Sequence, residues 1–348
     1  MEIPYTETES ELHPVANRLV VARLFIGFIV LLCAEGLSGS SIHIGFWNPW
    51  TLVVTYWLYF AHFFFFTTCA IRTGKMGLPA LYLWGVLFGL YESWITKVIW
   101  SGYEGDGKFA LGHIGPFGYA EISMVFLFHP VVSFLLPLCI LGCIAPTYRR
   151  AFPELAWFMG RSRGASWIQL YCAIAFVSVM ALLSGGPIIL LMNAAFVSVV
   201  GYFLWTVSKK TLANAEASAV LAFGNRGMLG LVVYLALLYG VAYVKLRPDD
   251  LPSVGVQLFT GMFYAITIGG LVAARRATNE PVLTDDTTPW PISLRTAALL
   301  IVILLVSSAL QGNPILSIAV LPHFIVWTPL GFALTVWALV RCVRERLG

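Results

Sequence analysis

Apolar residues run along this chain in blocks, separated by short polar segments and by glycine- or proline-marked breaks. A helix needs roughly 17–25 mostly apolar residues to cross the hydrocarbon of a bilayer. Runs of that kind lie at 19–41, 50–71, 78–100, 118–145, 166–184, 187–208, 228–246, 254–274, 296–311 and 315–340. The pattern predicts an all-α fold: a polytopic integral membrane bundle of about ten transmembrane helices. Ser184-Gly185-Gly186-Pro187 is a turn signal and divides the fifth run from the sixth. The fourth contains Pro130 and Pro137 and the tenth Pro322 and Pro329, so kinked or interrupted helices are expected there.

Charge orients the bundle. Of the 21 Lys and Arg, 17 fall at the N-terminal flank, in the even-numbered loops or at the C-terminus. These include Arg18, Arg23, Arg72, Lys75, Arg149, Arg150 and Arg276. The opposite side has only Lys97, Lys108, Lys245 and Arg247. The positive-inside rule then places both termini in the cytoplasm, in the cell (plasma) membrane. Trp47, Trp50, Trp100 and Tyr103 fall at the outer interface, where amphipathic rings prefer to sit. The long outer loop 101–117 is glycine-rich and predicts irregular backbone.

The composition agrees. The chain has 348 residues, 59% hydrophobic and only 11% charged, which no single water-soluble core could accommodate. The acidic start, with Glu2, Glu7, Glu9 and Glu11, is unlike a cleavable secretory signal. The expected organisation is one membrane domain over 1–348: a cytoplasmic tail 1–18, a four-helix half 19–145, a basic cytoplasmic loop 146–165 and a six-helix scaffold half 166–342. No repeat relates the two halves. The six cysteines form no CxxC pair, and HExxH, Walker and dinucleotide fingerprints are missing. No nucleic-acid partner is indicated.

Ionisable residues inside a membrane are costly, and each is a functional hypothesis by default. The first four runs hold Glu35, His62, Glu92, Lys97, Glu121 and His129, whereas the last six hold only His323 at comparable depth. At 1.5 Å per residue, Glu35, Glu92, His62 and His129 lie roughly 9–18 Å below the outer surface. Glu121 and Lys97 sit nearer the mouth. Consecutive helices are usually neighbours, so a shared polar cavity open to the outside is expected.

Several roles follow from residue type. Glu35, Glu92, Glu121 and His129 are candidate catalytic acids or bases. Glu35, Glu92 and His129 are also a candidate ligand set for a divalent metal. His62 and His129, at matching depth, are candidate axial ligands of a haem, the less favoured cofactor. Tyr91, Trp94 and Lys97 are candidate substrate contacts. Structural alternatives stand beside each: Glu121 as a helix N-terminal carboxylate, His62 as packed bulk in YWLYFAHFFFF, and Lys97 snorkelling or meeting Glu121. The expected function is an enzyme acting on a lipid or lipid-linked substrate by acid/base or metal-assisted chemistry. The alternatives are a proton-coupled secondary transporter and a haem-binding or accessory subunit.

Overall fold

The structure is a computed structural model that describes residues 9–36, 48–101, 112–159, 187–276 and 314–347, with a few single positions between. Helices dominate. α1 (Glu9–Leu31) runs into a π-helical turn, Leu32–Gly36. A π-helical turn Thr51–Thr55 leads into α2 (Tyr56–Thr73), which is followed by α3 (Leu78–Ile95) and the short α4 (Val98–Ser101). A two-stranded antiparallel ribbon, β1 (His113–Ile114) and β2 (Phe117–Gly118), precedes α5 (Tyr119–Ile144). The short α6 (Thr147–Ala151) and α7 (Ala156–Met159) follow. The second half holds α8 (Pro187–Asn214), α9 (Ala217–Leu221), α10 (Asn225–Lys245), α11 (Val254–Ala273) and α12 (Pro314–Leu347).

Helices stand at eight of the ten expected span positions. The fifth and ninth, 166–184 and 296–311, fall almost wholly outside the described residues, as do most of the loop 101–117 and the side chain of His323. Seven described helices are long and apolar enough to cross a membrane. α3 is not among them: Glu92 and four Tyr or Trp residues dilute it, and it lies buried within the bundle. The expected kink at Pro130 takes another form. α5 is π-helical over Met124–Leu135, and the wider i→i+5 turn absorbs the residue that donates no N–H. α12 runs as one continuous helix through Pro322 and Pro329.

Local chemistry explains the ends of the central helices. α2 stops at Gly74, which takes the left-handed conformation (φ 70°) and closes the helix with Gly74 N–H on the Ile71 carbonyl and Lys75 N–H on that of Ala70. α3 begins with Pro79 in its first turn, and Glu154 accepts the Leu78 N–H at 2.6 Å. That carboxylate lies at the positive end of the helix, where it is stabilising.

Burial is uneven. The cores of α1, α2, α3 and α5 are packed with residues such as Ile26, Phe63, Phe64, Val86, Phe88 and Phe134. α8, α10 and α11 turn residues such as Tyr202, Leu237 and Leu258 outward. Large apolar side chains facing outward suit a lipid surroundings rather than water.

Basic side chains from the first half tie down helix C-termini of the second. Arg23 on α1 donates to the Ala219, Val220 and Ala222 carbonyls at the end of α9 and stacks on Phe223 at 3.9 Å. Arg72 reaches the Phe223 carbonyl at 2.7 Å. Lys75 donates to the carbonyls of Leu271, Val272 and Ala274 at the end of α11. Unpaired helix C-terminal carbonyls carry partial negative charge, and a cation there satisfies both the hydrogen bonds and the dipole. These contacts gather Arg23, Arg72 and Lys75 at one end of the bundle. Lys97, Lys245 and Arg247 stand at the other.

Candidate functional site

The site depends on how closely α3 and α5 approach. Gly85, Gly89, Glu92 and Thr96 follow one another at helical spacing along one face of α3. A Cβ at Gly85 would stand 2.5 Å from Pro130 Cα, and one at Gly89 would stand 2.7 Å from the Val125 carbonyl oxygen. The two glycines therefore let the α5 backbone lie directly on α3. One turn further along, Glu92 meets His129: Oε2 and Nε2 are 3.2 Å apart. His129 Nδ1 is 3.0 Å from Ser133 Oγ. Ser93 also places its hydroxyl near Glu92 Oε2, at 3.5 Å.

This arrangement can exchange a proton without losing its contacts. A serine hydroxyl both donates and accepts. It can serve a neutral imidazole that donates from Nε2, or an imidazolium that donates from both nitrogens. The His129 side chain is almost fully buried, and that of Glu92 is 12% exposed. The carboxylate is thus the member of the pair with more of its surface on open space.

That space is a cavity of about 750 Å³. Glu35, Glu92 and His129 all line it. The remaining wall is mostly apolar, with Val54, Leu58, Leu238 and Val241 among its side chains, and Asn48, Trp50, Lys245 and Arg247 also border it. α10 therefore supplies part of the wall, across from α1, α2, α3 and α5. Ligand cavities typically span about 300–1,000 Å³ and are apolar with a few convergent polar groups.

Glu121 is buried in the first turn of α5, just after Gly118, and is not part of the cavity wall. The helix-terminus reading fits this position.

Tyr91, Trp94 and Lys97 also do not line the cavity, contrary to the expectation that they contact substrate. Tyr91 packs edge-on against Tyr239 and Tyr264, and Trp94 against Trp100 and Tyr264. They leave α3 on another face than Glu92 and join it to α10 and α11. Lys97 neither snorkels nor extends the helix. Its backbone turns left-handed (φ 59°), and its buried ammonium donates to the carbonyls of Tyr243 (2.9 Å), Leu246 and Arg247 (3.1 Å) at the end of α10.

The cofactor expectations fare less well. Among the described residues, no three His, Cys, Asp or Glu side chains come together closely enough to hold a metal ion. Glu35, Glu92 and His129 share a cavity wall but not a coordination sphere. The haem arrangement is not met either. His62 donates from Nδ1 to the Leu58 carbonyl at 2.8 Å, which leaves Nε2 to accept from the Tyr239 hydroxyl at 3.4 Å. His62 and His129 both pack against the buried ring of Phe88, so a side chain fills the space between them. His62 is a satisfied core residue.

Sequence reading missed the Gly85-x-x-x-Gly89 pair. Small residues four apart in an apolar run are a recognised signal of close helix approach, and they stand one turn before Glu92. Tyr239, the partner of His62, carried no local signal.

No solved structure matches the chain. An uncharacterized protein of Archaeoglobus fulgidus is 28% identical over 245 residues, covering 70% of this chain and 74% of that one. A family model described as an uncharacterized membrane protein family matches residues 24–346. A match of that extent, on a chain whose described residues include seven helices suited to crossing a bilayer, makes this protein a multi-pass integral membrane protein belonging to that family.

Proposed function

We propose that the protein is a membrane enzyme that performs acid/base chemistry on a lipid or lipid-linked substrate in a cavity open to the outer face. The observation that carries the reading is the Glu92–His129 contact of 3.2 Å at the wall of a 750 Å³, mostly apolar cavity. A carboxylate and an imidazole in hydrogen-bond reach can take a proton from one substrate atom and return it to another. The apolar wall accepts hydrocarbon, and its low dielectric strengthens the pair's electrostatic effect.

In this reading the bundle has ten spans with cytoplasmic ends. The end carrying Arg23, Arg72 and Lys75 faces the cytoplasm, and the cavity faces outward. Glu35 is a second carboxylate in the same cavity, available to orient a hydroxyl or amine on the substrate. α8, α11 and α12 serve as scaffold.

The test is turnover. Purified protein in nanodiscs is incubated with a total lipid extract from its source membranes, and the lipids are followed by mass spectrometry. Wild type should convert at least one lipid to a product of different mass. Glu92→Gln and His129→Gln should each abolish that conversion while remaining folded. Conversion that persists in Glu92→Gln would refute the role given to the pair. If wild type converts nothing but its vesicles take up solutes with a proton, the transporter reading replaces this one.

A further inference from the structure

The rim of the cavity carries features the acid/base reading does not use. Among the described residues, only Lys97 and Arg247 are non-glycine residues with left-handed backbone (φ 59° and 46°). They are joined, because the Lys97 ammonium donates to the Arg247 carbonyl at 3.1 Å. Backbone strain held in place by a buried contact collects at functional sites. Here it lies at the end of α10, where Lys245 and Arg247 border the cavity.

Electrostatics explains what the arrangement achieves. A helix C-terminus carries about half a negative charge and would repel an anion. The Lys97 ammonium takes up three carbonyls of that terminus, those of Tyr243, Leu246 and Arg247. With the dipole offset, Lys245 and Arg247 can act on a ligand. An arginine fork suits a phosphate oxygen pair. The cavity's acids come from elsewhere: Glu35 from the end of α1 and Glu92 from α3. Among the residues that line the cavity, charge is thus divided by element, with bases at the end of α10 and acids at the end of α1 and on α3; Asp249 and Asp250, which follow Arg247, are not part of the wall.

The cavity also reaches the lipid-facing perimeter. Trp50 and Val241 line it, yet they are 58% and 62% exposed. Among the described residues, the cavity therefore opens sideways between the start of α2 and the outer part of α10. At the ~30 Å³ that one water occupies in the liquid, its volume holds about 25 non-hydrogen atoms. That is room for a headgroup and the first part of a chain, with the rest left in the bilayer.

We infer that the ligand is an amphiphile with a phosphate-class anionic headgroup, which enters sideways from the outer leaflet and is held at the rim by Lys245 and Arg247, with Lys97 as the residue that positions Arg247. The inference rests on reading the cavity as a lipid-substrate site and names the class of that substrate.

Photolabelling tests it without requiring turnover. Full-length protein in phosphatidylcholine nanodiscs is exposed to two probes with identical diazirine-bearing chains, phosphatidic acid and neutral diacylglycerol. Labelled peptides are then mapped. The phosphatidic acid probe should label the segments around residues 48–59 and 238–247 about tenfold more than the neutral probe, the scale expected of one charged hydrogen bond. The double variant Lys245→Gln/Arg247→Gln should bring the two probes level, while Lys210→Gln on α8 should not change their ratio. Lys97→Met should lower the ratio without lowering neutral labelling, and Lys97→Arg should restore it. Equal labelling by both probes in wild type, or a ratio unaffected by the double variant, would overturn the headgroup assignment. If turnover is intact when that happens, the acid/base reading survives. If the ratio holds but Glu92→Gln still turns over, the acid/base reading fails and the binding assignment stands.

Discussion

Gly89→Ala should loosen the contact on which the site depends. The added methyl would stand 2.7 Å from the Val125 carbonyl oxygen and 3.1 Å from both Val125 Cα and His129 Cβ. An ordinary contact begins near 3.4 Å, so α5 must withdraw by roughly 0.7 Å. Backbone atoms on both sides leave no flexible side chain to give way. Overpacking of this kind costs about 1–3 kcal/mol. Alanine's better helix propensity returns about 1 kcal/mol, so the net loss should be about 0–2 kcal/mol. Gly240→Ala on α10 is the control, because a Cβ there meets nothing within 4 Å. It should be neutral or stabilising by up to about 1 kcal/mol. The difference between the variants removes propensity and isolates the clash, at about 1–3 kcal/mol. Equilibrium unfolding in mixed detergent micelles measures both. A withdrawal of that size also stretches the 3.2 Å Glu92–His129 contact beyond hydrogen-bond reach, so turnover in Gly89→Ala should fall further than its folded fraction does. Gly89→Ala as stable as Gly240→Ala would refute the close-approach argument.

Other expectations follow from the same contacts. Lys97→Met removes a cation shared by three carbonyls at the end of α10. It should cost about 2–4 kcal/mol and raise amide exchange over 243–250; unchanged exchange there would exclude the capping role. Glu154→Ala removes the acceptor of the Leu78 N–H and should cost about 1 kcal/mol in the same unfolding assay, with little effect if that cap is dispensable. Phe88→Ala leaves a hole against both His62 and His129 and should cost about 3–5 kcal/mol. For orientation, a membrane-impermeant maleimide applied to intact cells should label Asn48→Cys and not Arg276→Cys; the reverse pattern would invert the bundle.

Much of the fold was legible because long apolar runs leave a chain few options in water. The polar clustering was equally visible, since six ionisable residues in four consecutive runs stand out against bare neighbours. Depth alone brought Glu35, Glu92 and His129 together on paper, and the structure places all three on one cavity wall. Depth says nothing about helix face, however. Tyr91 and Trp94 share the depth of Glu92 but leave α3 in other directions, into rings of α10 and α11. The face was encoded in the Gly85, Gly89, Glu92, Thr96 stripe, which only a search for close-packing glycines picks out. Lys97 was obscure for a different reason. Nothing local marks a lysine as left-handed, and its carbonyl partners lie about 150 residues downstream. His62 likewise owes its satisfied state to Tyr239, 177 residues away.

In the proposed reading Glu92 and His129 act as one proton-handling unit. Turnover of the converted lipid in Glu92→Gln, His129→Gln and the double variant tests this most directly. Residues that act together lose their effect together. Each single variant should therefore fall to the residual level of the double variant. Losses that multiply, with the double variant far below either single one, would mean that the two residues act independently and would contradict a shared proton-handling role.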